Sequence, residues 1–445
     1  MEAVERLRER FWFLPALMCV VAAVVAEVLV AVDQRGFLPL PSWAGSFVYR
    51  VGESGSRDIL AAIATSSLAV AGTTFSITVA VLALTSSTYG PRLVRNFMAD
   101  RANQAVLGAF VATFLYSLLV LRSVRTLGDP RSSNAEVFVP HLAVNFAVVL
   151  ALVNVALLVF FIHHIADSIQ VTTIARRVRE DLRAAVDRLY PEELGSGAAD
   201  VPVDDEETGE RKWGASGKEG VRVEAGRAGY VRFIRDDALM SAARGNDLLV
   251  EIQVYPGSYV LQDSAVCIVH PSEHMSDDVA RRVRSAVVVG DARSPYQDVG
   301  FAVQQLTELV VRALSPGTND PFTAVNAVDD LSDGLSLLAT RKMPSPSRFD
   351  RDHVLRVYAP YPDVVALTAS VLDNLRWYGA GSPAVMHAAL TLIERVAVHA
   401  RQESVRVALG RQVPALAEAF LAAGHQPRDL EAFLGRAEQV SAALA

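Results

Sequence analysis

The chain has 445 residues, 51% of them hydrophobic, and a formal net charge of −7. The charge is uneven: residues 1–170 carry 12 basic and 11 acidic residues, leaving 30 and 38 for the remainder, which argues against nucleic acid as a partner. Its two cysteines, Cys19 and Cys267, give neither a disulfide framework nor metal-ligand spacing.

Four apolar stretches come first: Phe11–Val32, Ala61–Tyr89, Ala102–Leu121 and His141–Ile165. Each is long enough to cross a hydrocarbon core. The first has no clear small-residue cleavage site after it, so it reads as a span and not as a cleaved signal. Arg6, Arg8 and Arg10 precede it, Arg92, Arg95 and Arg101 lie between spans two and three, and Arg176, Arg177, Arg179 and Arg183 follow span four. Arg35, Arg50, Arg57, Arg125 and Arg131 occupy the other loops. The bias is modest and places both termini in the cytoplasm of a bacterial inner membrane.

The second span has two differentiated faces. At 100° per residue, Ser67, Thr74, Thr78 and Thr85 share one narrow wedge, while Ala69, Gly72, Ser76, Ala80, Ala83 and Ser87 form a small-residue stripe on the opposite side. The expectation is a central helix, packed through the small face and offering hydroxyls on the other. Two readings of the hydroxyls stand side by side: a hydrated path, or side chains bonded to their own helix backbone. Glu27 is the one acid well inside a span, where the readings are interfacial placement, a proton or cation role, or an intersubunit contact. Asn154, near mid-membrane, needs a partner as interhelical glue or a pore-lining amide; Asn145 faces the other way.

Tyr89–Arg101 reads as an amphipathic elbow, either an anchor or a coupling element. His163, His164 and Asp167 at the end of span four supply too few ligands for a metal. Beyond it, Ile174, Val178, Leu182 and Val186 recur at spacings of four, continuing a helix to Pro191. Residues 193–220 are acidic, poor in large apolar groups, and read as a flexible linker.

From Val221 short strands separated by Gly, Asp, Asn and Pro take over. The segments GYV and PGSYVLQDSAVCIV resemble the barrel-sandwich fold of biotinyl/lipoyl modules. Asp263 replaces the motif's second glycine and no lysine occupies the hairpin, so a non-carrier adaptor barrel is expected, without a cofactor. From about Ser276 the pattern is helical: RSAVVVG and HVLRVYAP as strands, then helices at about Asp298–Ala313, Pro321–Leu338, Asp363–Trp377, Ser382–Leu409 and Val413–Ala423, with a short terminal one. The expected fold is therefore an integral membrane α-helical domain of four spans (1–170), a cytoplasmic helix extension (171–192), the linker, and a cytoplasmic α+β region. That region divides into a small barrel-like β subdomain (221–275) and a mainly helical subdomain (276–445).

The densest local signature is ALSPGTNDPFTAVNAVDDL at 313–331. Ser315-Pro316-Gly317 stops one helix, with Gly317 suited to the left-handed conformation. Asp320 caps the next, with Pro321 at its first position. Asn319, Thr323 and Asn326 exceed what a cap needs. With Asp298, which opens the preceding helix, they make a candidate ligand site at a helix N-terminus, weighed against plain helix–turn–helix architecture.

SPGTNDPFTAVNAVDDL, YQDVGFAVQQLTELVVRAL before it, and FSITVAVLALTSSTYGPRLVRNF at Phe75–Phe97 resemble the hallmark segments of the bacterial membrane-protein family named for domain of unknown function 2254. The resemblance spans nearly the whole chain. It implies the membrane topology and carries no activity with it.

No GxSxG, GxxxxGKS/T, strand-linked GxGxxG or HExxH occurs, so no enzyme is expected. The leading reading is an oligomeric channel- or transporter-like protein with a cytoplasmic regulatory region, its partners the bilayer, a second copy and a small ion or solute. The alternative is a membrane-anchored sensor or scaffold without transport, for which the hydroxyl face would meet neighbouring helices.

Overall fold

The structure is a computed structural model that describes residues 12–35, 52–89, 100–125, 138–168, 170–190, 220–341, 346–359 and 364–444. The elbow at 89–101 and the linker at 193–220, apart from their ends, lie outside the described residues, as do the arginines at 6, 8 and 10. The chain forms two compact units, Met1–Thr173 and Ile174–Ala445.

Among the described residues the first unit holds four helices long and apolar enough to span a membrane: α1 (Phe13–Arg35), α2 (Glu53–Tyr89), α3 (Arg101–Ser123) and α4 (His141–Ser168). The central helix is α3 and not α2: half of its apolar window is buried inside the bundle, against 22% for α2. Gly108 lets one neighbour come close. A Cβ there would stand 2.7 Å from Met18 Sδ and 3.1 Å from Pro15 Cα, so the bare backbone lets α1 and α3 meet. Asp33 of α1 caps α4 from the side, accepting from the N–H groups of Leu142 (3.0 Å) and Ala143 (3.1 Å).

The second unit begins within α5 (Val171–Leu189); of the predicted stripe Val178, Leu182 and Val186 are buried and Ile174 is half-buried, with Ala175 and Ala185 buried beside them. Next come β1 (Val221–Glu224), β2 (Gly229–Ile234), α6 (Asp236–Gly245), β3 (Leu249–Ile252), β4 (Tyr259–Val260), β5 (Ala265–His270), α7 (Asp277–Ala286) and β6 (Val287–Gly290). α8 (Val299–Ala313), α9 (Pro321–Thr340), β7 (Ser347–Phe349), β8 (Leu355–Tyr358), α10 (Val364–Gly379), α11 (Pro383–His399), α12 (Glu403–Ala422) and α13 (Pro427–Leu444) complete it.

The expected barrel is corrected. Among the described residues the strands form two open sheets, β1-β5-β3-β8-β7 and β4-β2-β6, with no closed barrel. Two sequence features account for this. Asp236–Gly245, with Asp236 and Asp237 in its first turn, folds as a helix between two strands that a tight hairpin would have joined. Leu355–Tyr358 then pairs parallel to β3, with Val250 opposite Val357, so the sheet draws on residues beyond 275. The core between sheets and helices includes Val231, Leu239, Leu248, Val250, Val266, Cys267 and Val283. Burial pushes the Cys267 thiol up to about 12, which leaves it unreactive.

One helix boundary also moves. The stretch expected to run unbroken from Ser382 to Leu409 breaks at Ala400–Gln402, and Pro414, expected at the start of a new helix, lies inside α12. A proline forfeits one backbone bond and crowds the carbonyl four residues earlier; here that residue is Gly410.

Candidate functional site

The polar groups inside the bundle lie where α2, α3 and α4 face one another. Ser67, Thr74, Thr78 and Thr85 are all buried. Ala69, Gly72, Ser76, Ala80, Ala83 and Ser87 are all exposed on the bundle's outside. The orientation expected for α2 is thus inverted, and the reason is physical. Small side chains are indifferent to lipid, and a hydroxyl that donates to its own helix tolerates it, as exposed Ser87 does to Leu84 O at 2.8 Å. Thr74 Oγ1 donates to Ala71 O (2.9 Å) and Thr78 Oγ1 to Thr74 O (2.8 Å), so both spend their protons on their own helix. Asn154 finds its partner in Ser67, at 3.4 Å.

Sequence reasoning missed Asn103. It is buried on α3, and neither its amide oxygen nor its nitrogen has a hydrogen-bond partner, which is also true of the Thr85 hydroxyl. Asn103 lines a cavity of about 10 Å³ with Thr74, Thr78, Phe75, Leu107 and Phe161. That is room for about one water molecule. The signal was available: Asn103 and Gln104 open an otherwise apolar span. At the same end, His164 meets Asp100 at 3.0 Å, and Asp100 also accepts from the N–H of Ala102 (2.8 Å). His163 and Asp167 are 3.4 Å apart; among the described residues no three potential metal ligands gather. Glu27 pairs with Arg122 at 3.0 Å, at the other end of the bundle.

In the second unit the five residues of the candidate ligand site separate. Asp298 caps the start of α8, and Asn319, Asp320, Thr323 and Asn326 follow its end. Fifteen helical residues put about 20 Å between the two groups. Asp320 caps α9 as predicted, accepting from Thr323 N (3.1 Å) and Thr323 Oγ1 (2.6 Å). Those bonds hold its carboxyl below the usual carboxylate range, the hydroxyl contributing most. The left-handed residue of the turn is Asn319 (φ 45°) and not Gly317. Asparagine tolerates that region, and its N–H closes the turn on Ser315 O at 2.8 Å. Asn326 is exposed on α9. With Asp320 and Thr323 satisfying each other, the group performs as a cap.

Asp298 sits in a tighter setting. Arg293 grips it with two bonds, Nε to Oδ2 (2.7 Å) and Nη2 to Oδ1 (2.8 Å), and donates a third to Gln304 Oε1 (2.7 Å). Oδ1 also accepts from Phe301 N at 2.9 Å. The PGSYV turn rests on this carboxylate: a Cβ on Gly257 (φ 97°) would lie 2.4 Å from Asp298 Oδ2. Two segments singled out separately in the sequence therefore form one structural joint.

The fold and its polar interior define a membrane-embedded four-helix bundle joined to an α/β unit. The chain belongs to the family described as "Predicted membrane protein (DUF2254)", which it matches over residues 8–395. It is 33% identical over 363 residues to the uncharacterized proteins Rv1290c of Mycobacterium tuberculosis and Mb1321c of Mycobacterium bovis, covering 80% of this chain and 67% of each relative. No solved structure matches the chain.

Proposed function

We propose that this chain is a membrane-anchored sensor or scaffold whose spans pack together and do not conduct. The observation that carries the reading is the burial of Ser67, Thr74, Thr78 and Thr85, the hydroxyl wedge of α2, within the chain's own bundle. A second feature fits it. α5 starts three residues after the fourth span ends, and from Ile174 onward it belongs to the second unit. There it is held to α9 by Arg179–Asp330 (2.9 Å) and Arg183–Asp333 (2.8 Å), and to Arg341, the residue that ends α9, by Asp187 (2.5 Å). The proposal keeps the arginine-based orientation, with both termini in the cytoplasm, and assigns no catalytic residue.

The second reading, an oligomeric channel or transporter, draws on Asn103 and Thr85, buried polar groups without hydrogen-bond partners. A conducting path needs a row of hydrated positions; the cavity at Asn103 admits about one water. Purified protein in liposomes should show no K⁺, Na⁺, H⁺ or Cl⁻ flux above protein-free vesicles. A flux that falls on Thr78→Val would reject the scaffold and establish the channel.

A further inference from the structure

We infer that the cleft between the ends of α1 and α3 binds the phosphodiester headgroup of an anionic phospholipid. The cleft encloses about 400 Å³ and is lined by Glu27, Gln34, Arg122 and Arg125 with Val30 and Leu119 among its apolar walls. Its charge does not cancel. Glu27 and Arg122 pair at 3.0 Å, both side chains more than 60% exposed. Arg125 is exposed, and its guanidinium has no ion pair among the described residues. Its backbone is fixed, since Arg125 and Phe138 exchange N–H···O bonds of 3.0 and 3.3 Å. Asp33, the other carboxylate of α1 near this end, is turned away to cap α4. Among the described residues, one net positive charge therefore remains in a cleft of headgroup size.

The apolar part of the site argues for a lipid over a free anion. Val24 and Val20 lie one and two turns below Glu27 on the same face of α1, 57% and 61% exposed, and Leu118 lies one turn below Arg122 on α3. An acyl chain would follow this face while its phosphate meets the two arginines, the planar fork of Arg125 matching phosphate oxygens bidentately. Glu27 limits the affinity, because it occupies Arg122.

The test is native mass spectrometry of the delipidated full chain in detergent, titrated with dioleoylphosphatidylglycerol and, separately, challenged with inorganic phosphate. The wild type should retain the lipid, and Arg125→Gln should weaken retention roughly tenfold, the loss of one charge-assisted partner. Glu27→Gln should strengthen it by freeing Arg122. Equal retention by the wild type and Arg125→Gln, or weaker retention by Glu27→Gln, would overturn the assignment. Competition by millimolar inorganic phosphate as effective as that of the lipid would make this a small-anion site and reject the lipid.

Discussion

Arg293→Ala is expected to cost the second unit about 3–5 kcal/mol, the penalty for leaving a buried carboxylate without its counter-charge. Asp298 is 4% exposed, and the two Arg293 bonds supply its positive partner. Burial already holds the Asp298 carboxyl above its ordinary value, against the opposing pull of Arg293 and the Phe301 N–H. Without the guanidinium it rises further. Between the ordinary unfolded-state value and this raised one, the folded variant binds the extra proton, so its stability increases as pH falls through that window. Thermal unfolding of the full chain in detergent should show a deficit at pH 7 that narrows as the pH is lowered. Adding Asp298→Asn should restore part of it, because the amide oxygen still accepts from Phe301 N and carries no charge. An Arg293→Ala protein as stable as the wild type at pH 7 would show that the carboxylate is not confined as described.

Gly334→Ala is expected to destabilise the seat of α5 by about 1–3 kcal/mol through overpacking. The new Cβ would stand 2.1 Å from Leu182 Cδ2 and 2.8 Å from Cγ, on a leucine with no exposed surface. Alanine's helix propensity returns at most about 1 kcal/mol. Leu182→Ala alone should cost about 2–5 kcal/mol by leaving a cavity, which the methyl at 334 would partly fill. The double variant should therefore be more stable than the sum of the two losses predicts, a coupling that a double-mutant cycle reads directly. Strict additivity would mean that α5 and α9 do not meet at these residues.

Local features were legible because they depend on a few neighbouring residues. The four spans follow from length and composition, the α5 stripe from spacings of four, and the caps at Asp298 and Asp320 from an acid placed before a helix. What escaped depends on which distant segments meet. The small residues of α2 suggested a packing face, yet Gly108 of α3 makes the close approach, and a single sequence does not say which glycine has a helix opposite it. The PGSYV turn and Asp298 are 41 residues apart, so their contact had no local trace. Asp298 was grouped with Asp320 because both open helices; the length of α8 separates them. The sheet likewise depends on β8 crossing back to β3, which no strand period reveals.

The central claim is that the hydroxyl face of α2 is packed inside the bundle. It is tested most directly by single cysteines at Thr74 and Thr78, compared with Gly72 and Ser76, in a background where Cys19 and Cys267 are replaced by Ala. In reconstituted protein the account predicts that positions 74 and 78 resist both a charged, water-soluble thiol reagent and a lipid-soluble maleimide. Positions 72 and 76 should resist the first and react with the second, because they face hydrocarbon. Rapid modification at 74 and 78 by the charged reagent would mean water runs along that face, and the packed-scaffold account would be wrong.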